Sequence, residues 1–202
     1  MKFEIKKVAH WSFFTVPELE GKGILQGFCT GGAPSNLLHE KTKQTFLDAF
    51  SLRDLVIMKQ EHGDDVHVIN NGPTPHSGDG LVILEKDMAG IIRTADCLPV
   101  ILCDAVHPMV SIVHAGWRGT VKMIVRKTIL SMIELGSRAE NIIALLGPSI
   151  GPCCYEVKED VHSVFKEKGF SEHIFLKRKN HLFLDIKKAN TLILHESGVK
   201  KV

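Results

Sequence analysis

Between Leu55 and Val113 the chain sets down six short apolar runs, and directly afterwards its apolar period changes. The runs fall at 55–58, 66–69, 81–84, 91–94, 99–103 and 109–113 and are rich in Val, Ile and Leu. That length suits strands and is too short for helices. From Thr120 the apolar positions become Val121, Ile124, Val125, Ile129, Met132 and Ile133, one face of a helix that stops at Gly136. A chain built this way must cover a sheet with helices, which predicts an α/β or α+β layered domain.

The flanks extend this pattern. A short strand is predicted over 24–28, followed by a Gly-Gly-Ala-Pro-Ser turn, and a helix over 41–50. Residues 142–146 read as a buried strand entering the turn-rich 147–152. A helix over 158–168 closes at Gly169, a strand covers 182–186, and a helix over 187–197 closes at Gly198. The final Val-Lys-Lys-Val looks like a strand cut short.

At 202 residues the chain fits one domain with a real core, and 44% hydrophobic against 24% charged residues is ordinary globular composition. A net charge of +2 gives no electrostatic case for nucleic acid or for an acidic membrane surface. The opening MKFEIKKVAHWSFFT lacks a signal-peptide core, and no apolar run approaches a membrane span. A cytoplasmic protein acting on small molecules is expected. The five cysteines, Cys29, Cys97, Cys103, Cys153 and Cys154, are odd in number and irregular in spacing, so reduced thiols are expected rather than a disulfide framework. No C-x-x-C or H-E-x-x-H occurs, so any metal site must be assembled from distant segments.

Three residues share one placement. His62 follows the run 55–58, Cys97 stands between two apolar runs beside Asp96, and His114 ends the run 109–113. A strand end fixes the backbone while leaving the side chain at a sheet rim, which suits ligands and catalytic groups. Two imidazoles and one thiolate would make a three-ligand zinc site with its fourth position open, the plan of a catalytic centre. The alternative is a packed cysteine and hydrogen-bonded histidines. Cys103, inside an apolar run, reads as core, and the adjacent Cys153 and Cys154 lie in a turn. Gly116-Trp-Arg-Gly119 joins a strand to the amphipathic helix, so Arg118 and a helix N-terminus could together receive an anion.

Gln60-Glu-His-Gly63, Thr94-Ala-Asp-Cys-Leu-Pro-Val100, His114-Ala-Gly-Trp-Arg-Gly119 and Gly147-Pro-Ser-Ile-Gly-Pro-Cys-Cys-Tyr-Glu-Val157 together resemble the YfiH-like laccase-domain family. That family is also described as purine nucleoside phosphorylases, multicopper polyphenol oxidases and peptidoglycan editing factors. The resemblance covers nearly the whole chain, as one domain over 1–202. It implies an α+β fold, a layered α/β/β/α sandwich distantly like cytotoxic necrotising factors. It implies zinc held by His62, Cys97 and His114. It also implies phosphorolysis of adenosine, inosine, guanosine and S-methyl-5'-thioadenosine, and deamination of adenosine. Two departures stand out: Phe28-Cys-Thr-Gly-Gly32 lacks the arginine usual in relatives, and the C-terminal segment is shorter than theirs.

Three chemistries compete on these residues. In the first, zinc activates water or substrate, Asp96 moves protons as a catalytic carboxylate beside His62, Cys97 and His114, and Arg118 and Gln60 bind substrate and phosphate. In the second the His₂Cys set holds copper for phenol oxidation, which the absence of any His-x-His disfavours. In the third no metal is needed: Cys97 is the nucleophile of a hydrolase, with His114 or His62 as base, which fits peptidoglycan precursor editing.

Overall fold

Every residue of the strand Leu98–Asp104 is buried, because both faces of the sheet it belongs to are covered. The computed structural model describes residues 2–30, 37, 39–70, 72 and 77–202. In chain order the strands are β1 (Glu4–Val8), β2 (Trp11–Thr15), β3 (Phe28–Cys29), β4 (Asp54–Ile57), β5 (Val66–Ile69), β6 (Gly80–Ile83), β7 (Met88–Ile91), β8 (Leu98–Asp104), β9 (Met109–Ala115), β10 (Ile142–Leu146), β11 (Glu156–Val157), β12 (Phe175–Arg178) and β13 (His181–Leu184). The helices are α1 (Pro17–Glu20), α2 (Glu40–Phe50), α3 (Trp117–Val121), α4 (Ile124–Glu134), α5 (Glu159–Glu167) and α6 (Ile186–Glu196).

The central sheet has five strands in the order β10-β8-β9-β6-β5, antiparallel except for the β5–β6 pair. Alternation along β8 divides its side chains between two cores. Leu98, Val100 and Leu102 face Val125, Ile129 and Met132 of α4 and Ala189, Ile193 and Leu194 of α6. Ile101 and Cys103 face Val16, Leu19, Ile24 and Phe28 of the N-terminal segment. Leu81 and Ile83 pack on Val56, Met58 and Met88 of the small β4–β7 sheet. Outside the β1-β2-β3 sheet, Phe50 of α2 stacks on Trp11 and Phe46 meets the same ring edge-on. The order of layers is helices with the β11-β13-β12 sheet beside them, central sheet, the β1-β2-β3 and β4–β7 sheets, and helix, which is an α+β layered fold. Each fully buried aliphatic side chain here contributes roughly 1.5–3 kcal/mol. Among the described residues no helix is long and apolar enough to cross a membrane.

The structure departs from the sequence reading at four elements. Over 24–28 only Phe28 pairs, because the Ile24 N–H donates to the Leu19 carbonyl and the Gln26 side chain holds the Val16 carbonyl. The run 91–94 belongs to β7 only at Ile91. Beyond it the Gln60 side chain replaces a strand partner, donating to the Arg93 carbonyl at 2.7 Å and accepting the Arg93 N–H at 2.9 Å. The helix expected from Thr120 to Gly136 is two helices, broken where Met123 adopts a φ of 62°. The strand expected over 182–186 ends at Leu184, because the Asp185 carboxylate accepts the Lys188 N–H at 2.9 Å and caps α6. The 31–35 turn lies outside the described residues. At the C-terminus Lys201 makes a single parallel bridge to Ile143.

Candidate metal centre

Pairing registers carry residues from four segments to one end of the central sheet. In β8–β9, Pro99 pairs with His114 and Leu98 with Ala115, which sets Cys97 opposite Gly116. In β6–β9, Gly80 pairs with Val113, so Asp79 comes beside His114, whose N–H donates to the Asp79 carbonyl at 2.7 Å. In the parallel β5–β6 pair Val66 meets Gly80, which brings the loop before β5, with His62, to the same rim. The ligand atoms of His62, Cys97 and His114 all lie within 4.8 Å of one another. The two imidazoles meet edge to face, with ring centroids 4.8 Å apart.

Asp79 organises this rim. It is fully buried, and its carboxylate accepts three successive backbone N–H groups, from Glu61 at 3.1 Å, His62 at 3.0 Å and Gly63 at 2.7 Å. Such a backbone nest holds an anion, and here it fixes His62 in the left-handed region at a φ of 57°. Asp79 Oδ1 also accepts from His114 Nδ1 at 2.6 Å. That bond sets the tautomer and leaves Nε2 as the ligand nitrogen. Burial would push the Asp79 carboxyl up, but the His114 bond and the Gly63 and Glu61 N–H groups outweigh it and hold it below the usual carboxylate range.

The residues fit a cation. Zinc–ligand bonds of about 2.0–2.3 Å keep ligand atoms within roughly 4 Å of each other, so this set is a small side-chain adjustment from a coordination shell. Gly116 closes the cradle, since a Cβ there would stand 3.1 Å from Cys97 Sγ and 3.4 Å from His62 Cδ2. A Cβ on Gly119 would lie 2.8 Å from the Gly63 carbonyl oxygen, so only glycine lets α3 rest on the His62 loop. Asp64 ties that loop to the helices through Lys122 at 3.3 Å and through Lys127. Burial pushes the Cys97 thiol up, and the charges of Asp96 and Asp79 add to the effect. Among the described residues this is the one group of three or more His, Cys, Asp or Glu side chains able to hold a metal ion.

Residues 27–202 match the family model described as multi-copper polyphenol oxidoreductase laccase. The chain belongs to the YfiH-like laccase-domain family. A relative from Deinococcus radiodurans, named purine nucleoside phosphorylase, is 38% identical over 150 residues, 74% of this chain and 58% of its own. A relative from an unknown prokaryotic organism, named adenosine deaminase RL5, is 32% identical over 161 residues, 73% of this chain and 62% of its own. The chain thus spans about three-fifths of the length of these two proteins. The crystal structure of Bacillus licheniformis YfiH superposes with a TM-score of 0.82 over 98% of this chain and 84% of that one, at 24% identity. That likeness concerns the fold.

Other parts of the laccase-domain motifs surround the centre. Asp96 is exposed beside Cys97, and its carbonyl accepts the Ile150 N–H at 2.9 Å, which joins the second motif to the fourth. Arg118 is exposed, with its guanidinium 4.4 Å above the Trp117 ring. The helix that begins at this rim is the five-residue α3, while the N-terminus of the long α4 lies after the break at Met123. The dipole expected behind Arg118 is therefore that of little more than one turn. Gln60 spends both ends of its side-chain amide on the Arg93 backbone, as a brace between the His62 loop and the segment after β7. Two residues of the rim escaped the sequence reading. Asp79, in Gly-Asp-Gly, resembles a surface turn, and only long-range pairing shows its role. Tyr155 is half-buried, and burial, with the charges of Cys97 and Asp96 against that of Arg118, pushes its phenol up to about 12.

Proposed function

We propose that this chain is a zinc-dependent purine nucleoside enzyme. It would catalyse phosphorolysis of adenosine, inosine, guanosine and S-methyl-5'-thioadenosine, and deamination of adenosine, in the cytoplasm. The observation that carries the reading is the His62–Cys97–His114 cluster with Asp79 behind it. The names of relatives in the same family, purine nucleoside phosphorylase and adenosine deaminase, supply the substrate class. A zinc ion held by these three side chains would supply Lewis acidity and ease the deprotonation of water.

The remaining work falls to the chain's own groups. Asp79 keeps the proton on His114 Nδ1 and presents Nε2. Asp96, exposed at the rim, exchanges protons with solvent and with the leaving group. Arg118 offers a guanidinium fork to phosphate. In phosphorolysis a phosphate oxygen bonds to the ribose C1' as the bond to the base nitrogen breaks. In deamination water adds at C6 of adenine and ammonia leaves.

A single three-residue cluster among the described residues supports a single-ion centre over a multicopper one. Both readings need Cys97 as thiolate; burial and the carboxylates of Asp96 and Asp79 oppose that charge, and a zinc ion held here would offset them, whereas a metal-free hydrolase has no such cation. The deciding experiment combines metal analysis of freshly purified protein with a nucleoside screen, with and without phosphate. About one zinc per chain and phosphate-dependent release of hypoxanthine from inosine are expected. Full activity after chelation would overturn the reading.

A further inference from the structure

The two cysteines of the fourth motif take no part in the cluster. Cys153 and Cys154 are adjacent and exposed, and their sulfurs lie 3.0 Å apart. They sit in a tight turn in which the Gly151 carbonyl accepts the N–H groups of both Cys154 and Tyr155 at 3.0 Å. Arg178 reaches the same turn and donates to the Cys153 carbonyl at 3.3 Å. Among the other thiols, Cys103 is buried and pushed up to about 12, Cys97 belongs to the candidate centre, and Cys29 donates to the Thr30 carbonyl.

We propose that Cys153 and Cys154 form a peroxide-oxidisable dithiol that closes reversibly to a vicinal disulfide. One thiolate attacks a peroxide oxygen and the O–O bond breaks, giving a sulfenic acid and a hydroxide that takes up the proton released by the thiol and leaves as water. The neighbouring sulfur attacks the sulfenic sulfur, the S–O bond breaks, a second water leaves and the S–S bond forms. The pair loses two electrons and two protons, and the peroxide becomes two waters.

The placement favours closure over further oxidation, because the resolving thiol already touches its partner. It also favours reversal. Neighbouring Cα atoms are about 3.8 Å apart, below the roughly 4.4–6.8 Å that an unstrained disulfide spans. Strained, exposed disulfides are the readily reduced ones. The hydrogen bond to Cys153, that neighbour's charge and burial hold the Cys154 thiol up, against the opposing charge of Arg178. The turn borders the candidate centre through the Ile150–Asp96 bond. The sulfur chemistry stands whether or not the nucleoside reading holds.

The test uses the full reduced chain, a few-fold excess of hydrogen peroxide, alkylation and trypsin. Cleavage after Arg138 and Lys158 gives a peptide, 139–158, that holds these two cysteines and no others. It should appear unalkylated and about 2 Da lighter than the dithiol, and return to double alkylation after treatment with a thiol reductant. Cys153→Ser should abolish the linked species and leave Cys154 to a sulfenic-acid trap. The proposal is overturned if the peptide stays doubly alkylated while Cys29 or Cys97 is consumed. It is equally overturned if the pair goes directly to sulfinic acid, or if the linked mass survives in Cys153→Ser.

Discussion

Asp79 and His114 form a buried pair across β6 and β9, joined twice: by backbone at 2.7 Å and by side chain at 2.6 Å. The carboxylate that orients the imidazole is the same one that folds the His62 loop. Asp79→Asn removes the charge and sets an amide donor among donors. Metal affinity should fall about ten- to a hundredfold, and stability should drop by on the order of 1–3 kcal/mol. Chelator competition and thermal melting of variant and parent measure both. Unchanged values would show that Asp79 orients nothing.

Gly116 adopts φ −68° and ψ 169°, a conformation open to any residue. Gly116→Ala should therefore keep the fold and still lose metal, because its methyl would press on Cys97 Sγ and the His62 ring. Affinity should fall on the order of tenfold, as when a group that supports the ligands is disturbed. Circular dichroism alongside elemental analysis separates the two effects.

Arg118→Ala should raise the phosphate KM of phosphorolysis with metal content unchanged. One charge-assisted contact is worth on the order of 1.5–3 kcal/mol, roughly ten- to a hundredfold in affinity. Adenosine deamination, which consumes water, should suffer less. An unaltered phosphate dependence would leave Arg118 with only its stacking on Trp117.

His162 lies between Glu172 at 2.9 Å and Glu159 at 3.0 Å. The bonds to these carboxylates, Glu172 first, outweigh burial and raise its pKa above the ordinary 6.5. A raised folded-state value means that the stabilisation is complete below the unfolded pKa and is lost as pH rises through the folded one. The stability gap between the parent and His162→Gln should be wider at pH 6 than at pH 8.5. High salt should narrow it, since both glutamates are exposed. Denaturant melts at the two pH values test this, and an NMR titration of the ring reports the pKa directly.

The central sheet was legible because β6, β8 and β10 are buried on both faces and read as apolar runs. The three candidate ligands were legible because each sits beside such a run. The N-terminal hairpin was not. Its strands, Glu-Ile-Lys-Lys-Val and Trp-Ser-Phe-Phe-Thr, turn through Ala9 at a φ of 52° with no glycine to announce it. The break at Met123 was hidden by Val121, Ile124 and Val125, which stay buried on both sides of it and keep the helical period intact. Asp79 was invisible for a different reason. Its meaning comes from partners on β9 and on the His62 loop, and no local pattern encodes such pairings.

The β8–β9 register has a consequence for how the gene can change. Cys97 faces Gly116 because the paired positions count inward from the Asp104–Met109 turn without interruption. A residue inserted among 105–108 would lengthen the turn and leave that count untouched. The same insertion between Cys97 and Asp104 would bring Trp117 opposite the thiol and turn every side chain between the insertion and Cys97 to the other face. Length variation among related chains should therefore collect in the turn and be absent from the two strands.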